Sequence, residues 1–289
     1  MTTPRLPAVG LAVSTVGRPT LHEMLRSAAA SEVLPAAVGV ADHTPAGDLA
    51  LEPGLPFPAV VVPSTGGASA GRNHAVAGLP VAVDVLGFPN DDNRYPPETL
   101  GAVAAAFAAP DAPAAVACTA LDGAVPRFRL PPDGAVLDRY SVWRAFEPAM
   151  FVQRRWFEEV SGFPEELGTG AATPWQSGDG TEMLLRIMAR GGRVVSLRSA
   201  VVHGRGERKG LSADGLVAKH RAYARGTGYV YRVNDYPTHR RLMVALAPLL
   251  KALEHDPDRA LSLRIALART LGRVEGLTGH LLPGSGRAG

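Results

Sequence analysis

The chain has 289 residues, 46% of them hydrophobic, with one cysteine and a net charge of +3. This length can form one large domain, or one domain with an appendage. The single cysteine, Cys118, excludes an internal disulfide and is typical of a reducing compartment. No signal-peptide pattern is present and no apolar run approaches the ~20 residues of a membrane span, so we expect a cytoplasmic protein.

The charge is distributed unevenly along the chain. From Gly204 onward there are 15 lysines and arginines against 7 acidic residues, whereas the preceding residues have 15 against 20. The basic part is either an ordinary helix surface or a face for an anionic partner, such as a phospholipid surface on the inner side of the membrane. No nucleic-acid motif is present and the tail has few aromatic residues, so nucleic acid is not expected as a partner.

Strand and helix signals alternate through the chain up to residue 202. Short apolar runs predict strands, and residues at helical spacing predict helices between them. The predicted strands are 9–13, 37–41, 59–62, 81–88, 114–119 and 149–153, with an extended segment at 193–202. The predicted helices are one that starts with a capping box at Thr20 and Glu23, then 69–77, 97–109 and 181–189. This alternation predicts an α/β fold with a mixed, mostly parallel sheet flanked by helices.

Beyond residue 210 the apolar residues follow helical spacing. One stripe consists of Leu242, Leu246, Leu249, Leu250 and Leu253, and a second runs from Leu261 to Leu281. We therefore expect a main domain at 1–210 and a C-terminal helical extension at 211–289. The apolar stripes can pack on the main domain, pair two subunits as a homodimer, or lie in a membrane interface.

The segment from Gly87 to Pro96 has the strongest functional signal. Asn90, Asp91 and Asp92 follow the apolar run 81–88 directly, so they emerge at the carboxyl end of a predicted strand. Ligands of open α/β sheets bind at this edge. Packed carboxylates favour a hard divalent cation such as Mg²⁺ or Mn²⁺. The alternative is a solvated turn, since Asn and Asp populate turns for local reasons.

Four stretches, in this order, resemble the inverting family 2 glycosyltransferases, which are nucleotide-sugar-dependent enzymes of the GT-A fold. The stretches are 9–19, 71–75, 87–95, and 157–167 continuing into 177–182. The resemblance covers about residues 8 to 205. It implies a GT-A catalytic domain at 1–210. It also implies transfer of a sugar from a nucleoside diphosphate sugar to a hydroxyl acceptor, which is a glycan, a lipid-linked acceptor or a secondary metabolite.

The resemblance implies a metal site at the strand end. In that family an Asp-x-Asp motif binds Mn²⁺ or Mg²⁺, and here Asn90 replaces the first Asp while Asp92 keeps the last. Asp92 is then the direct ligand, and Asp91 lies near the ribose or a metal-bound water. His203 stands where relatives place a histidine that completes the metal or diphosphate site. The metal would neutralise the departing diphosphate.

The resemblance also implies nucleotide contacts. The expected residues are Ser14, Thr15 and Arg18 after the first strand, Asp42 at the nucleobase, Arg72 at the nucleotide, and Arg205 at the diphosphate. Each residue has a local alternative: Asp42 caps a turn, Thr15 satisfies a backbone group, and Arg72 forms an ion pair on a helix surface.

An inverting transfer needs one general base to take the proton of the acceptor hydroxyl. In the family this base comes from an acidic pair at the start of a helix, and the matching positions here are Asp179 and Gly180. The second acid is therefore absent, and Asp179 is the expected base, with Glu182 in reserve. Asp179 as a helix cap is the local alternative. Trp175, close in sequence, is a candidate for stacking on the acceptor.

Two other functions remain open from the sequence. A sugar nucleotidyltransferase has similar sheet and metal chemistry, but the 16–18 segment is short for its glycine-rich loop. A non-catalytic nucleotide- or glycan-binding relative is suggested by Asn90 and Gly180, which depart from the family at two chemically critical positions.

Overall fold

The computed structural model describes residues 5–204, 211–252 and 259–283. Their contacts divide the chain into two compact units. The first consists of Met1–Phe163 and Met183–Glu207, and the second of Pro164–Glu182 and Arg208–Gly289. The second unit therefore includes a segment from the middle of the chain in addition to the predicted C-terminal helices.

The first unit is built on a sheet of eight strands with helices between them. The strands are β1 (Val9–Thr15), β2 (Ala37–Asp42), β3 (Ala59–Pro63), β4 (Val85–Gly87), β5 (Ala115–Asp122), β6 (Val125–Pro126), β7 (Met150–Gln153) and β8 (Val194–Gly204). The helices are α1 (Thr20–Ala29), α2 (Ala68–Ala77), α3 (Thr99–Ala108), α4 (Arg154–Glu159) and α5 (Asp179–Ala189). The residues of α5 from Met183 onward belong to this unit.

The sheet is mixed. Its strand order is β3-β2-β1-β4-β7-β5-β6, and β8 pairs with β5. β1 is parallel to β2 and β4, β2 is parallel to β3, and β8 is parallel to β5. The strand β7 runs antiparallel between β4 and β5. The parallel strands β1, β2 and β4 therefore end at the same edge, where a ligand of an α/β sheet is expected.

The core of the first unit lies between the sheet and helices α1 and α3. Both β1 and β2 are almost completely buried, as expected for central parallel strands. The helix α1 contributes Leu21, Met24 and Leu25 to this core. The helix α3 contributes Leu100, Val103 and Phe107. This packing holds the ends of the parallel strands in place.

The strand predicted at 81–88 is shorter in the structure, where β4 is only Val85–Gly87. Val81 is exposed. The Asp84 carboxylate accepts a hydrogen bond from the Ala8 backbone N–H at 2.8 Å, and the Asp84 N–H donates to the Ala8 carbonyl at 2.8 Å. These contacts tie the chain to the residue before β1 without extending the ladder.

The predicted capping box at the start of α1 is wrong. Thr20 lies inside the helix after a helical Pro19, and no side chain caps the helix start. Glu23 forms an ion pair with Arg94 instead of reaching back to the helix start. The sequence pattern was present, but the helix begins one residue earlier than a Thr20 cap requires.

The described C-terminal part of the second unit contains α6 (Ala213–Val233), α7 (Thr238–Lys251) and α8 (Arg259–Thr278). The helices α6 and α8 pack closely because glycines line their contact. A Cβ atom on Gly228 would lie 2.2 Å from the Arg273 carbonyl oxygen, and one on Gly276 would lie 2.1 Å from the Arg225 carbonyl oxygen. The fully buried Glu275 of α8 accepts a 2.6 Å hydrogen bond from Nε of Arg225 and also pairs with Arg221.

The leucine stripe predicted in α7 is largely exposed. Leu242, Leu246 and Leu250 are exposed, whereas Ala245 and Pro248 are the buried residues of this helix. Leu249 is half-buried, and Leu253 lies outside the described residues. Among the helices of the described residues, we find none with the length and hydropathy needed to cross a membrane.

Candidate functional site

Polar side chains gather at the edge of the sheet where β1, β2 and β4 end. Thr15, the last residue of β1, is in register with Asp42, the last residue of β2. The strand β4 is followed within a few residues by the turn that carries Asn90, Asp91 and Asp92. The sheet therefore brings the residues of β1 and β2 that are predicted to contact the nucleotide next to the turn that is predicted to bind the metal.

Asp91 connects the 90–94 turn to the end of β1. It is 2% exposed, and its Oδ2 accepts a hydrogen bond from the Thr15 hydroxyl at 2.7 Å. Its Oδ1 accepts from Nη1 of Arg18 at 2.8 Å. Oγ1 of Thr15 in turn accepts from the backbone N–H of Gly17, which has a φ of +81° that favours glycine. Asp91 thus fixes the loop between β1 and α1.

Asp42 holds the loop that follows β2. Its Oδ1 accepts from the Thr44 N–H at 2.7 Å, and its Oδ2 accepts from the Leu49 N–H at 3.1 Å. Burial raises the pKa of the Asp42 carboxyl, but hydrogen bonds from Thr44 and Leu49 lower it, so the pKa lies below its ordinary value. Asp42 is therefore ionised at neutral pH, with both oxygens engaged by its own loop.

His43 lies at the same edge and was not predicted from the sequence. Its Nε2 is buried, and no hydrogen-bond partner for it is found in the described part of the chain. A Cβ atom on Gly71 would lie 2.4 Å from this Nε2 and 2.7 Å from the Ser14 hydroxyl oxygen, so His43 and Ser14 both pack on Gly71. Burial lowers the pKa of His43, opposed by the charge of Asp42, and the imidazole is neutral at pH 7.

Arg72, in α2, is 4% exposed and connects three parts of the first unit. Its guanidinium forms an ion pair with Glu147, which lies in the short 3-10 turn before β7. Its Nη2 also donates to Oδ1 of Asn90 at 3.0 Å. The guanidinium carbon lies 5.6 Å from the centre of the Phe163 ring. Glu147 was not predicted, because nothing in an irregular segment of sequence indicates so distant a partner.

The turn at 90–94 is also joined to the end of β8. The Asn93 side chain accepts from the Asn90 N–H at 2.6 Å and donates to the His203 carbonyl at 3.2 Å. Arg94 and His203 exchange two backbone hydrogen bonds of 2.9 Å. The backbone of His203 therefore lies beside the turn that carries Asp92. Arg205 lies outside the described residues.

This edge has few side chains left for a metal ion. Among the described residues, no group of three or more His, Cys, Asp or Glu side chains could hold one. Asp91 is engaged by Thr15 and Arg18, and the Asn90 oxygen is engaged by Arg72. Asp92 and His203 are the other two candidate ligands that the sequence resemblance implies. Mg²⁺ is commonly held by one or two carboxylates together with substrate phosphates, so these residues fit a metal that binds with a diphosphate.

In the second unit, the candidate base lies at the start of α5. Asp179 is the first residue of the helix and is 5% exposed, and Glu182 lies in the same first turn. The helix therefore begins two residues before the predicted start. Gly178 precedes it with a φ of +91°, and its carbonyl accepts from the Glu182 N–H at 2.8 Å. Carboxylates in the first turn are stabilised as anions by the helix dipole.

An aromatic cluster lies close in sequence to this helix start. The rings of Trp175 and Tyr229 stack at 5.4 Å between centroids, and the Arg232 guanidinium lies over both, at 5.6 and 5.1 Å. Burial raises the pKa of Tyr229, and the neighbouring Glu166 carboxylate raises it further. Trp175 is half-buried. Part of this residue is therefore open to solvent, and aromatic rings suit stacking on a sugar.

The comparison with known proteins identifies the fold. No protein-family model matches the sequence, and no curated protein matches it either. Among solved structures, the mannosyltransferase PcManGT from Pyrobaculum calidifontis, in complex with GDP-Man and Mn²⁺, has a TM-score of 0.60 at 15% identity. That match covers 94% of this chain and 88% of the other. TarS 1–349 of S. aureus has a TM-score of 0.57 at 14% identity, with 95% and 83% covered. The chain has the GT-A fold.

The TarS 1–349 complex with UDP-GlcNAc gives a similar result, with a TM-score of 0.56, 15% identity, and 94% and 92% of the two chains covered. The GT-A fold confirms the mixed, mostly parallel sheet predicted from the sequence. The described residues of the first unit that the sequence predicts for the site lie at or beside one edge of the sheet. They are Ser14, Thr15, Arg18, Asp42, Arg72, Asn90, Asp91, Asp92 and His203. Asp179 and Glu182 belong to the second unit.

Proposed function

We propose that this chain is a glycosyltransferase that moves a sugar from a nucleoside diphosphate sugar to a hydroxyl acceptor, with inversion. The supporting observation is the polar edge where β1, β2 and β4 end, in a fold for which solved structures hold UDP-GlcNAc and GDP-Man. Ligands of α/β sheets bind at this edge. The residues gathered there can recognise both a nucleoside and a diphosphate.

In the proposed donor site, Asp91 and Asp42 mainly shape the loops, and neighbouring residues contact the nucleotide. The neutral His43 and the Ser14 hydroxyl, which pack together on Gly71, are suited to hydrogen-bond the nucleoside. Arg18 uses Nη1 for Asp91, and a guanidinium has five donors, so a contact with phosphate is compatible with that bond.

In the same proposal, Mn²⁺ or Mg²⁺ binds at the turn after β4 together with the diphosphate. Asp92 supplies the carboxylate and His203 an imidazole, which are acceptable ligands for Mn²⁺. The bound metal would stabilise the negative charge of the departing diphosphate. Because so few protein ligands are available, the metal should bind weakly without the nucleotide.

We assign the general base to Asp179. The base must take the proton of the acceptor hydroxyl as it attacks the anomeric carbon from the face opposite the diphosphate. A buried carboxylate in the first turn of α5, in the same unit as the Trp175 and Tyr229 stack, suits this role. Glu182, in the same first turn, is the second candidate.

The alternative that the residues favour most is a non-catalytic nucleotide or glycan binder. It is supported by Gly180 in place of a second acid and by Asn90, whose oxygen is engaged by Arg72. A sugar nucleotidyltransferase is less consistent, since only four residues separate the end of β1 at Thr15 from the start of α1 at Thr20. That loop is short for a glycine-rich phosphate-binding segment.

The experiment that tests this function is a thermal shift assay with UDP, GDP, dTDP and CDP, each with and without Mn²⁺. A nucleotide at 100 times its dissociation constant stabilises the folded protein by about 2.7 kcal/mol. We expect one nucleotide to give the largest shift, increased by Mn²⁺, with little shift from Mn²⁺ alone. No shift with any nucleotide contradicts the proposal. Hydrolysis of the nucleoside diphosphate sugar in the absence of an acceptor would then distinguish an enzyme from a non-catalytic binding protein.

A further inference from the structure

Helices α7 and α8 of the second unit present apolar residues to solvent. On α7 these are Leu242, Met243, Leu246 and Leu250, which are 59, 58, 51 and 67% exposed. On α8 they are Leu263 and Leu267, 50 and 51% exposed. We call these six residues the leucine face. At 3.6 residues per turn, the four on α7 fall within an arc of about 100°. So concentrated a set of exposed apolar side chains on α7 marks a contact surface.

The charged residues of α7 and α8 themselves are almost all positive. The two helices contain seven lysines and arginines, namely Arg240, Arg241, Lys251, Arg259, Arg264, Arg269 and Arg273. Their single acidic residue, Glu275, is fully buried and paired with Arg221 and Arg225. The surface that α7 and α8 offer to a partner is therefore apolar and cationic.

Cations lie at the borders of the leucine face. By helical spacing, Arg240 and Lys251 follow Met243 on one side of the α7 leucines, whereas Arg241 falls between the buried Ala245 and Pro248 and does not border them. Arg259 and Arg264 fall on the two sides of Leu263 and Leu267 of α8. Apolar residues in the centre with basic residues at the borders are the pattern of a helix that lies in a membrane interface.

Among the described ion pairs, two of the seven cations have acidic partners on the protein surface. Arg241 pairs with Asp235 at 3.6 Å, and Arg264 pairs with Asp214. The side chains of Asp235 and Asp214 are 96% and 85% exposed. Exposed ion pairs contribute little to stability and are screened by salt. If the two arginines exchanged Asp235 and Asp214 for lipid phosphates, the loss of folding free energy would therefore be small.

We propose that the leucine face docks on an anionic lipid surface, with its leucines in the acyl boundary and the bordering cations on lipid phosphates. A second copy of the chain fits less well, because the described borders of both faces carry cations, which repel each other. The segment between the helices, outside the described residues, contains Glu254, Asp256 and Asp258. Those acids are the groups that could pair with a second copy, so the test includes the oligomeric state.

The test is co-sedimentation of the full chain with vesicles of phosphatidylcholine, alone or mixed with phosphatidylglycerol. We expect binding to the mixed vesicles, weakened by added salt. Leu246→Ser and Leu250→Ser should each lower the partition coefficient roughly tenfold, because each removes a leucine side chain from the interface. The matched control is Leu34→Ser, an exposed leucine of the first unit, which should leave binding unchanged.

A second set of variants tests the charge. Arg240→Gln and Lys251→Gln should each weaken binding to the mixed vesicles about fivefold, the effect of one basic residue near an anionic surface. Arg129→Gln, an exposed arginine of the first unit, is the control and should have no effect. All of these residues are exposed, so melting temperatures should stay those of the wild type.

Equal binding to both kinds of vesicle, or none to either, overturns the proposal. A concentration-dependent dimer that Leu246→Ser converts to a monomer, without vesicle binding, assigns the leucine face to a second copy instead. The proposal is independent of the proposed glycosyl transfer, because the vesicle assay needs no nucleotide.

Discussion

Oδ1 of Asn90 accepts a hydrogen bond from the Arg72 guanidinium, with Nη2 at 3.0 Å. The same guanidinium pairs with Glu147, whose side chain is 16% exposed. Asn90 occupies the position at which the sequence resemblance implies the first acid of a metal-binding motif. The oxygen at this position is turned to an arginine. An uncharged amide suits the place because the nearby carboxylate of Glu147 already balances the charge of Arg72.

The first prediction is that Asn90→Asp does not strengthen metal binding. The new carboxylate would replace the amide oxygen as an acceptor for Arg72, and would compete with Glu147 for the same cation. We expect the Mn²⁺-dependent part of the nucleotide thermal shift to remain within about twofold of the wild type in apparent affinity. Tighter Mn²⁺ binding in Asn90→Asp would mean that residue 90 faces the ion.

The second prediction concerns the ion pair itself. Arg72→Gln leaves the mostly buried Glu147 carboxylate without its cation and should lower the free energy of unfolding by about 3 kcal/mol. Adding Glu147→Gln to Arg72→Gln should recover part of this loss, because the uncompensated charge is then removed. Denaturant unfolding of both single variants and the double variant measures the coupling. If the losses of unfolding free energy in the two single variants simply added up in the double variant, the two residues would not be coupled.

The third prediction assigns the metal ligand. Asp92→Ala should abolish the increase that Mn²⁺ adds to the nucleotide thermal shift, while the melting temperature without ligand stays close to that of the wild type. Asp48→Ala, an exposed acid in the loop after β2, is the matched control and should keep the Mn²⁺ effect. If Asp92→Ala responds to Mn²⁺ as the wild type does, this residue is not part of the metal site.

The strands and the polar turn after β4 could be predicted from the sequence because their signals are local. Apolar runs predicted β1 and β2 within two residues of their observed ends, and Asp42 ends β2 while Asp91 lies in the turn after β4. The partners of those residues could not be predicted, because they depend on long-range packing. Asp91 and Thr15 are hydrogen-bonded although 76 residues separate them in the sequence. The ion pair of Arg72 and Glu147 depends on the pairing of β7 with β4, because Glu147 lies just before β7.

The exposed leucines of α7 show a different limit. Helical spacing predicts which residues share a face, but it does not tell whether that face meets protein or solvent. In this chain, α7 buries Ala245 and Pro248, and α6 and α8 pack through glycines, so the leucine face remains outside. Small residues at a helix contact carry too weak an apolar signal to be recognised in the sequence.

The fourth prediction concerns pH and the second unit. Burial raises the pKa of Glu275, but hydrogen bonds from Arg221, Arg225 and the Leu282 N–H lower it below its ordinary value of 4.5. A carboxyl whose pKa is lower in the folded state stabilises the fold above its unfolded pKa. This stability should be lost as the pH falls below about 4.5 and through the folded pKa.

Glu275→Gln should lower the free energy of unfolding by about 3–5 kcal/mol at neutral pH, because it leaves two arginines without their carboxylate. The difference from the wild type should shrink as the pH falls through the window given above. Denaturant unfolding across pH measures both effects. Glu98→Gln, an exposed acid of the first unit, should change neither. A constant difference between Glu275→Gln and the wild type at all pH values would rule out the proposed linkage.

The last prediction assigns the general base, and it requires that the preferred donor is known from the thermal shift panel. Asp179→Asn should keep the donor-dependent shift and lower kcat by roughly 10² to 10⁴, the usual contribution of a positioned base. Asn has nearly the same shape as Asp, so the first turn of α5 should be retained. Glu182→Gln, in the same turn, is the matched variant and should lower kcat by much less. A large loss in Glu182→Gln together with near-normal turnover in Asp179→Asn would transfer the role of base to Glu182.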